Sequence, residues 1–293
     1  MLTLPDAMVE QSRVATKKVA STRLHAAYLV QSMLAGAFVG VAVVLMVSAA
    51  GPLVAAGSPW APLVQGLVFG VALSLVVFAG GELATSNMMI LTQGTLRGAI
   101  HWARAGGTLI FSFAGNLVGS LVFAAIVVQT GLLARGTPAG DMLVLMLEKK
   151  DHESSSQLFW RGVLCNMLVC LAIWAGARMR SETGRLIMIF WCLLAFITSG
   201  FEHVVANMTT FGIGLVAGFG TSWADLGHNM LMVGLGNLVG GAIIVGAGYA
   251  IAAGRPAAPA PAPAPALVQA SEAAPALLQA QVRRPASLDV EVA

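Results

Sequence analysis

Charged residues are scarce in this chain: they make up 10% of its 293 residues, whereas hydrophobic residues make up 57%. An average soluble domain carries roughly 25% charged residues, so a soluble fold built from this chain would lack polar surface. We therefore predict an all-α polytopic membrane protein. The net charge of +3 then concerns loops and orientation, and it gives no support to nucleic-acid binding.

Several patterns that carry chemistry are missing as well. Cys165, Cys170 and Cys192 all lie in apolar runs without Cys-x-x-Cys spacing, and we interpret them as small buried hydrophobic residues. Gly-rich nucleotide loops, zinc-ligand spacings, Ser/His/Asp arrangements and paired carboxylates are absent from the sequence. We expect no cofactor, no metal site and no enzymatic activity.

Six apolar segments predict six transmembrane helices. Gly51-Pro52 begins the expected turn between spans 1 and 2, and a polar loop is expected over 131–157. Span 5 has only about 14 apolar residues before Gly200, too few to cross ~30 Å of hydrocarbon. Spans 2 and 5 are both expected to be interrupted, near Gly80-Gly81 and Gly200. The six spans are placed at about 26–49, 62–80 with a continuation to 93, 107–130, 158–177, 186 onward and 226–251.

The rest of the chain predicts three parts. Residues 1–25 are amphiphilic and are expected to form a cytoplasmic helix on the membrane surface, followed by a six-span channel domain over 26–251. Residues 252–293 are rich in Ala and Pro, which is typical of a flexible tail. A second amphipathic helix over 266–282 is the alternative for part of that tail.

The distribution of Lys and Arg predicts the orientation. Twelve of them fall in the N-terminal segment, the loops after spans 2 and 4, and the tail, whereas the opposite loops hold three. Because short cytoplasmic loops are enriched in Lys and Arg, both termini are expected to be cytoplasmic.

An acid and an imidazole lie side by side in span 5, as Glu202 and His203. Ionisable residues are rare in apolar spans and indicate a functional site by default. An imidazole can hold or release a proton near neutral pH, which favours a transport role for His203. For Glu202 we prefer a structural role, bonding to the backbone that the broken helix frees, over a role in transport.

The residue pattern of this stretch is repeated in span 2. Gly81 to Met88 places Glu, Asn and Met at the same relative spacing as Gly200 to Met208, and a Gly-Asn-Leu-Val-Gly run follows each. Two halves with matching interrupted segments are typical of inverted repeats with a transport site between them. The asparagines of those runs, Asn116 and Asn237, are expected to bond the unwound backbone.

Three further side chains are candidates with two interpretations each. The hydroxyls of Thr85 and Ser86 could face a permeant anion or cap the resumed helix. Lys150 could be a solvated loop lysine, or could raise the anion concentration at a pore mouth.

These motifs resemble the formate/nitrite transporter family, and within it the bacterial nitrite channel branch. The resemblance covers about residues 5–251 and excludes the Ala/Pro tail. The residues that carry it are Leu164-Cys165-Asn166, Trp191 to Phe196, Gly200 to Met208, Gly227-His228-Asn229 and both Gly-Asn-Leu-Val-Gly runs.

The resemblance implies a homopentamer with one pore in each protomer, in the bacterial inner membrane. It implies an aquaporin-like fold of two inverted three-helix repeats, although the Asn-Pro-Ala boxes of aquaporins are missing. The central histidine falls on His203, the threonine of the second span on Thr85 and the vestibule lysine on Lys150. The asparagines that brace the broken helices fall on Asn166 and Asn237. The apolar slits fall on Phe69 and Phe196 on the outside and on Leu73, Leu83 and Val169 on the inside.

The function that these residues favour is a nitrite channel with proton-assisted passage at His203. Its expected partners are nitrite, with formate or other small monovalent anions as further candidates, membrane lipid and further copies of the chain. The alternatives are a formate or hydrosulfide channel of the same family, or a neutral-solute pore for water or ammonia. A membrane-embedded enzyme would need pairs of haem-ligating histidines or a metal cluster, which the sequence does not offer.

Overall fold

A computed structural model describes residues 1–254, and within them it contains twelve α-helices, one π-helical segment and no strand. The predicted tail and its alternative helix over 266–282 lie outside the described residues, except for residues 252–254. The α-helices are α1 (Leu4–Ser21), α2 (His25–Ala55), α3 (Ala61–Phe69), α4 (Val71–Ala79), α5 (Ala84–Leu96), α6 (Trp102–Gln129), α7 (Pro138–His152), α8 (Ser155–Arg178), α9 (Glu182–Thr198), α10 (Val204–Ala217), α11 (Trp223–Leu238) and α12 (Gly248–Ala252), and the π-helical segment is Val239–Ala247.

Five helical segments are long and apolar enough to cross a membrane. They are α2, α3 together with α4, α6, α8, and α11 together with its continuation to Ala252. The predicted fifth span consists of two shorter helices, α9 with 17 residues and α10 with 14. Neither reaches the ~20 residues that a complete crossing needs.

Helix interruptions occur where the sequence predicts them. The helix α4 ends at Ala79 and is followed by Gly80 (φ +86°), and the end of α9 is followed by Gly200 (φ +71°). Only glycine adopts this left-handed conformation without a steric cost, and it ends a helix sharply. The chain is then extended for a few residues before it resumes as α5 at Ala84 and as α10 at Val204.

Close helix contacts depend on the glycines of the two Gly-Asn-Leu-Val-Gly runs. In α6, a Cβ added at Gly119 would lie 2.0 Å from the carbonyl oxygen of Met33 on α2. In the π-helical segment, a Cβ at Gly240 would lie 2.1 Å from the carbonyl oxygen of Val163 on α8. The two helix pairs therefore approach backbone to backbone, as small residues allow in membranes.

The predicted polar loop over 131–157 is wrong, because most of it forms α7. Thr137 caps this helix, and Pro138 occupies its first turn, where proline is favoured. Leu143 and Leu147 are spaced four apart and are buried against the other helices. Because charged residues lie near its C-terminal end, this short amphipathic helix was predicted as a polar loop.

The predicted turn between spans 1 and 2 begins later than Gly51-Pro52, since α2 continues through both residues to Ala55 and α3 begins at Ala61. Gly51 is needed inside the helix, because a Cβ there would lie 2.6 Å from the carbonyl oxygen of Pro138. Pro52 lies close to the helix end, and its own carbonyl still accepts a hydrogen bond from Ala56.

The N-terminal helix contacts protein where the sequence predicts contact with the membrane surface. One face of α1 packs against α5 and touches α8 and α12. The residues buried on this face are Ala7, Met8, Gln11 and Ala15. This contact brings the last turn of α1 to the interrupted second span.

We predict that Gly119→Ala destabilises the protein by about 1–3 kcal/mol, because the new methyl group overlaps a backbone carbonyl that cannot move aside. The measurement is the thermal unfolding midpoint of the detergent-solubilised protein. Gly107→Ala is the matched control on the same helix, since a Cβ there meets nothing within 4 Å. Equal midpoints for the two variants would contradict this account of the glycines.

Candidate transport site

A small apolar cavity of about 10 Å³ lies at the centre of the site. All five side chains expected to form the slits line it, together with His203 and three further apolar residues. Each of the five is at most 2% exposed. A cavity needs about 10–15 Å³ to hold one water molecule, so this space admits one at most.

Two larger cavities adjoin the small one, and we name each after its lysine. The Lys150 cavity, of about 120 Å³, shares Phe69, Phe196 and His203 with the central space. The Lys18 cavity, of about 540 Å³, shares Leu83 with it. The central space is therefore a constriction between two wider compartments.

Two aromatic rings form the wall between the constriction and the Lys150 cavity. The rings of Phe69 and Phe196 meet edge to face, with centroids 5.7 Å apart and an interplanar angle of 82°. This is a favourable arrangement for aromatic pairs. The ring of Phe196 also lies 6.1 Å from that of His203, so the imidazole is shielded by an apolar face.

The imidazole of His203 makes two hydrogen bonds that define its hydrogen positions. Its Nδ1 accepts the backbone N–H of Ala206 at 3.2 Å and thereby caps α10. Because Nδ1 accepts, the ring hydrogen lies on Nε2, which donates to Thr85 Oγ1 at 3.1 Å. The Thr85 hydroxyl retains its own hydrogen, and within residues 1–254 it makes no other hydrogen bond. Thr85 therefore keeps one hydrogen that it can still donate.

Asn237 holds the interruption before α10. Its Oδ1 accepts the N–H of Val204 at 3.0 Å, the first N–H of the resumed helix. Its Nδ2 donates to the carbonyl oxygens of Gly162 at 2.8 Å and Glu202 at 3.0 Å. One buried amide therefore satisfies three backbone groups that hydrocarbon could not.

Asn116 makes the same three bonds at the interruption before α5. Its Oδ1 accepts the N–H of Ala84 at 2.9 Å, and its Nδ2 donates to Ser32 at 2.7 Å and to Glu82 at 2.9 Å. The family resemblance assigned no role to Asn116, but the repeated Gly-Asn-Leu-Val-Gly run predicted that this asparagine bonds the unwound backbone.

Asn166 has a different task from Asn116 and Asn237. Its Nδ2 donates to the carbonyl oxygen of Thr85 at 3.1 Å and to that of Asn237 at 2.7 Å. It therefore links the first interrupted span to the last span. A Cβ at Gly241 would lie 2.4 Å from the Asn166 Nδ2, so the π-helical segment must present glycine there.

Lys150 lies in the last turn of α7, and its charge is paired. Its Nζ lies 2.5 Å from Glu202 Oε2, and the two side chains are only 10% and 8% exposed. The same carboxylate oxygen accepts a hydrogen bond from Asn207 at 2.7 Å. The solvated loop lysine, one of the two sequence interpretations, does not describe this residue.

Lys18 and Glu82 form an equivalent ion pair that the sequence analysis missed. The two groups are 2.5 Å apart, both side chains are 15% exposed, and Asn87 donates to the same carboxylate oxygen at 3.4 Å. Extending the repeat back to the helices that precede spans 1 and 4 would have paired Lys18 with Lys150.

Charged groups near the Lys150 cavity are partly neutralised. Arg161 forms an ion pair with Glu153, and its backbone oxygen accepts the N–H of Glu202 at 3.3 Å. At the end of α7, burial raises the pKa of the Asp151 carboxyl, and the neighbouring charge of Asp225 raises it further. No group of three or more His, Cys, Asp or Glu side chains within the described part of the chain could hold a metal ion.

The sequence of this chain is similar to that of known transport proteins. A family model described as formate/nitrite transporter matches residues 6–251. The nitrite transporter NirC of Salmonella typhimurium is 40% identical over 238 residues, which cover 80% of this chain and 86% of NirC.

Two solved structures share the fold. An "FNT family ion channel" superposes with a TM-score of 0.78 at 36% identity, covering 84% of this chain and 98% of that one. A "pentameric formate channel with formate bound" superposes with a TM-score of 0.68 at 26% identity, covering 79% and 98%.

We predict that Glu202→Gln destabilises the protein by about 3–5 kcal/mol, because it leaves the Lys150 ammonium buried without its counter-charge. The double variant Lys150→Met with Glu202→Gln removes both charges, and we expect it to recover most of the loss. Thermal unfolding of the two variants in detergent measures the difference. A single variant as stable as the double variant would show that the buried charge is not what the carboxylate stabilises.

Proposed function

Because the chain belongs to the formate/nitrite transporter family, we propose that it is a channel that moves nitrite across the bacterial inner membrane. Formate and other small monovalent anions are its further candidate substrates. The match to the family model and the 40% identity to a nitrite transporter confirm the resemblance drawn from the motifs. They also identify the chain as a multi-pass membrane transport protein.

The proposed architecture has six spans in two inverted three-helix repeats, with spans 2 and 5 interrupted. The identical sets of bonds that Asn116 and Asn237 make support this arrangement. A homopentamer is proposed because a structural neighbour is described as pentameric. The excess of Lys and Arg in alternate loops supports cytoplasmic termini. The division into residues 1–25, 26–251 and 252–293 remains a prediction.

An apolar constriction flanked by two compartments decides what can pass. A bare anion in this space would lose its hydration without gaining comparable partners, which costs several kcal/mol or more. With cytoplasmic termini, the Lys150 cavity faces outward and the Lys18 cavity faces inward. In this proposal the charges of Lys149 and Lys150, opposed by the single carboxylate of Glu202, attract the anion to the Lys150 cavity, as charged clefts attract small ions.

The bond between Thr85 and His203 is the observation that carries the proposed mechanism, because it joins a hydroxyl to the imidazole that lines an otherwise apolar constriction. A proton added at Nδ1 turns the ring into an imidazolium. The ring then passes its Nε2 proton to Thr85 Oγ1, while the Thr85 hydroxyl proton moves to the anion. The substrate crosses as the neutral acid and releases its proton to water on the far side.

We predict that His203→Asn abolishes the pH dependence of nitrite flux and lowers flux on the order of a hundredfold, the lower range for loss of a positioned proton donor. Asparagine keeps an acceptor for the Ala206 N–H but does not titrate near neutral pH, whereas His203→Ala removes both. The assay is current and uptake in proteoliposomes after jumps of nitrite, formate and chloride at two pH values.

The outcomes of this assay separate the functions. Unchanged flux and pH dependence in His203→Asn and His203→Ala would overturn the proton-assisted mechanism. Silence of the folded wild-type protein towards all three anions would favour a neutral-solute pore, and water and ammonia flux would then be measured. A response to formate that exceeds the response to nitrite would identify a formate channel.

We predict a second effect at Thr85, where Thr85→Val keeps the shape and removes the hydroxyl. Flux of nitrite should fall at every pH, because the proposed relay loses its hydroxyl and Nε2 of His203 loses its hydrogen-bond acceptor. Thr85→Ser is the matched control and should retain most of the flux. Equal flux through the Val and Ser variants would exclude the hydroxyl from the path.

A further inference from the structure

The two resumed helices begin differently, although the same asparagine bonds hold both interruptions. At α10, the Nδ1 of His203 accepts the N–H of Ala206. At α5, the residue in the place of His203 is Leu83, whose side chain has no acceptor, and no side chain in the described part of the protein caps this helix. Within the described chain, the N–H groups of Thr85 and Ser86 donate no hydrogen bond. The first turn of α5 therefore has open donors.

A hydroxyl without a partner lies on the same turn. Ser86 occupies the place that Ala206 has in α10, and it is only 5% exposed. Its Oγ is buried and finds no hydrogen-bond partner among residues 1–254. Buried polar groups in native proteins are nearly always satisfied, so an orphaned hydroxyl beside an orphaned N–H indicates a missing partner.

The position of Ser86 is on the path from the constriction to the Lys18 cavity. Ser86 lines this cavity together with Leu83, and Leu83 also lines the constriction. The helix α5 has 13 residues, and the N-terminal end of such a helix carries a partial positive charge that favours anions. A small anion that passes between the constriction and this cavity therefore comes close to these donors.

Side-chain charges around the cavity do not by themselves select an anion. The basic groups of Lys18 and Arg185 line it, but so do the carboxylates of Glu10 and Glu82. Lys18 is paired with Glu82, and the Arg185 guanidinium bonds backbone carbonyls. Since the formal charges balance, a preference for anions must come from the helix end and its hydroxyl.

We propose that the first turn of α5 is a binding subsite for a small oxyanion, formed by the hydroxyl and the backbone N–H of Ser86. Nitrite and formate both carry two oxygens on one atom, so one such ion can accept from both donors. The subsite rests on the proposed anion transport and makes the two sides of the constriction unequal. The Lys150 side has no equivalent subsite, because His203 closes the first turn of α10.

The test compares Ser86→Ala with Ser74→Ala in proteoliposomes. Ser74 lies in the same interrupted span, and its hydroxyl already bonds the carbonyl of Gly70 at 2.9 Å. Ser86→Ala should raise the half-saturating nitrite concentration for entry from the Lys18 side roughly tenfold, the value of one hydrogen bond to a charged group. Entry from the Lys150 side and the pH dependence should stay as in the wild type, as should every parameter of Ser74→Ala.

A second variant fills the subsite from within the chain. In Ser86→Asp the new carboxylate can accept the open N–H groups of α5, so we expect equal or higher thermal stability together with loss of nitrite flux. Nitrite and formate should raise the unfolding temperature of the detergent-solubilised wild-type protein, with about tenfold weaker dependence on concentration in Ser86→Ala. This binding measurement does not require transport.

The outcomes distinguish the subsite from the transport proposal. If the wild-type protein transports no anion but nitrite stabilises it through Ser86, the transport function is overturned and the subsite stands. Saturation of Ser86→Ala at the wild-type concentration, or normal flux through Ser86→Asp, would overturn the subsite while transport stands. A wild-type unfolding temperature that nitrite and formate leave unchanged would also overturn it.

Discussion

Peptide groups that are freed inside an apolar segment must find partners within the protein, because hydrocarbon offers none. Both interrupted spans face this constraint, and each meets it with one buried asparagine that bonds three backbone groups. The glycines beside Asn116 and Asn237 follow from the same constraint. The asparagine reaches the interruption only if its helix lies in backbone contact with the neighbouring helix.

The charged groups depend on the interruptions in turn. Glu82 and Glu202 occupy the extended residues, where their backbone oxygens are held by the asparagines. Their carboxylates then need counter-charges, which Lys18 and Lys150 supply from two helices outside the interrupted spans. The position of each amphipathic helix, α1 and α7, is thereby tied to the centre of the molecule.

Sequence alone predicted the features that have a local signal. The short apolar length before Gly200 predicted the interruption, and the repeated Glu and Asn spacing predicted that the two halves correspond. The boundaries of α2 and α7 were missed for a physical reason. Gly51 and Pro52 are turn residues by propensity, but contact with the backbone near Pro138 decides in favour of helix.

Features that arise from contacts distant in sequence could not be read directly. The pairing of Lys18 with Glu82 spans 64 residues, and the bond from Asn166 to Thr85 spans 81. The difference between the helix ends was visible as Leu83 opposite His203, but its meaning depends on the cap that the folded chain forms. The family resemblance supplied the slit residues, and the structure places all five around one small cavity.

The cap that His203 forms has a consequence for the rest of α10. The Nδ1 atom that would receive a second proton is the atom that accepts the Ala206 N–H. Protonation of the ring and the hydrogen bond that orders the first turn of the helix therefore compete for the same nitrogen atom. Linkage of this kind is reciprocal: whatever changes the winding of that turn changes the proton occupancy of the ring, and the reverse holds equally.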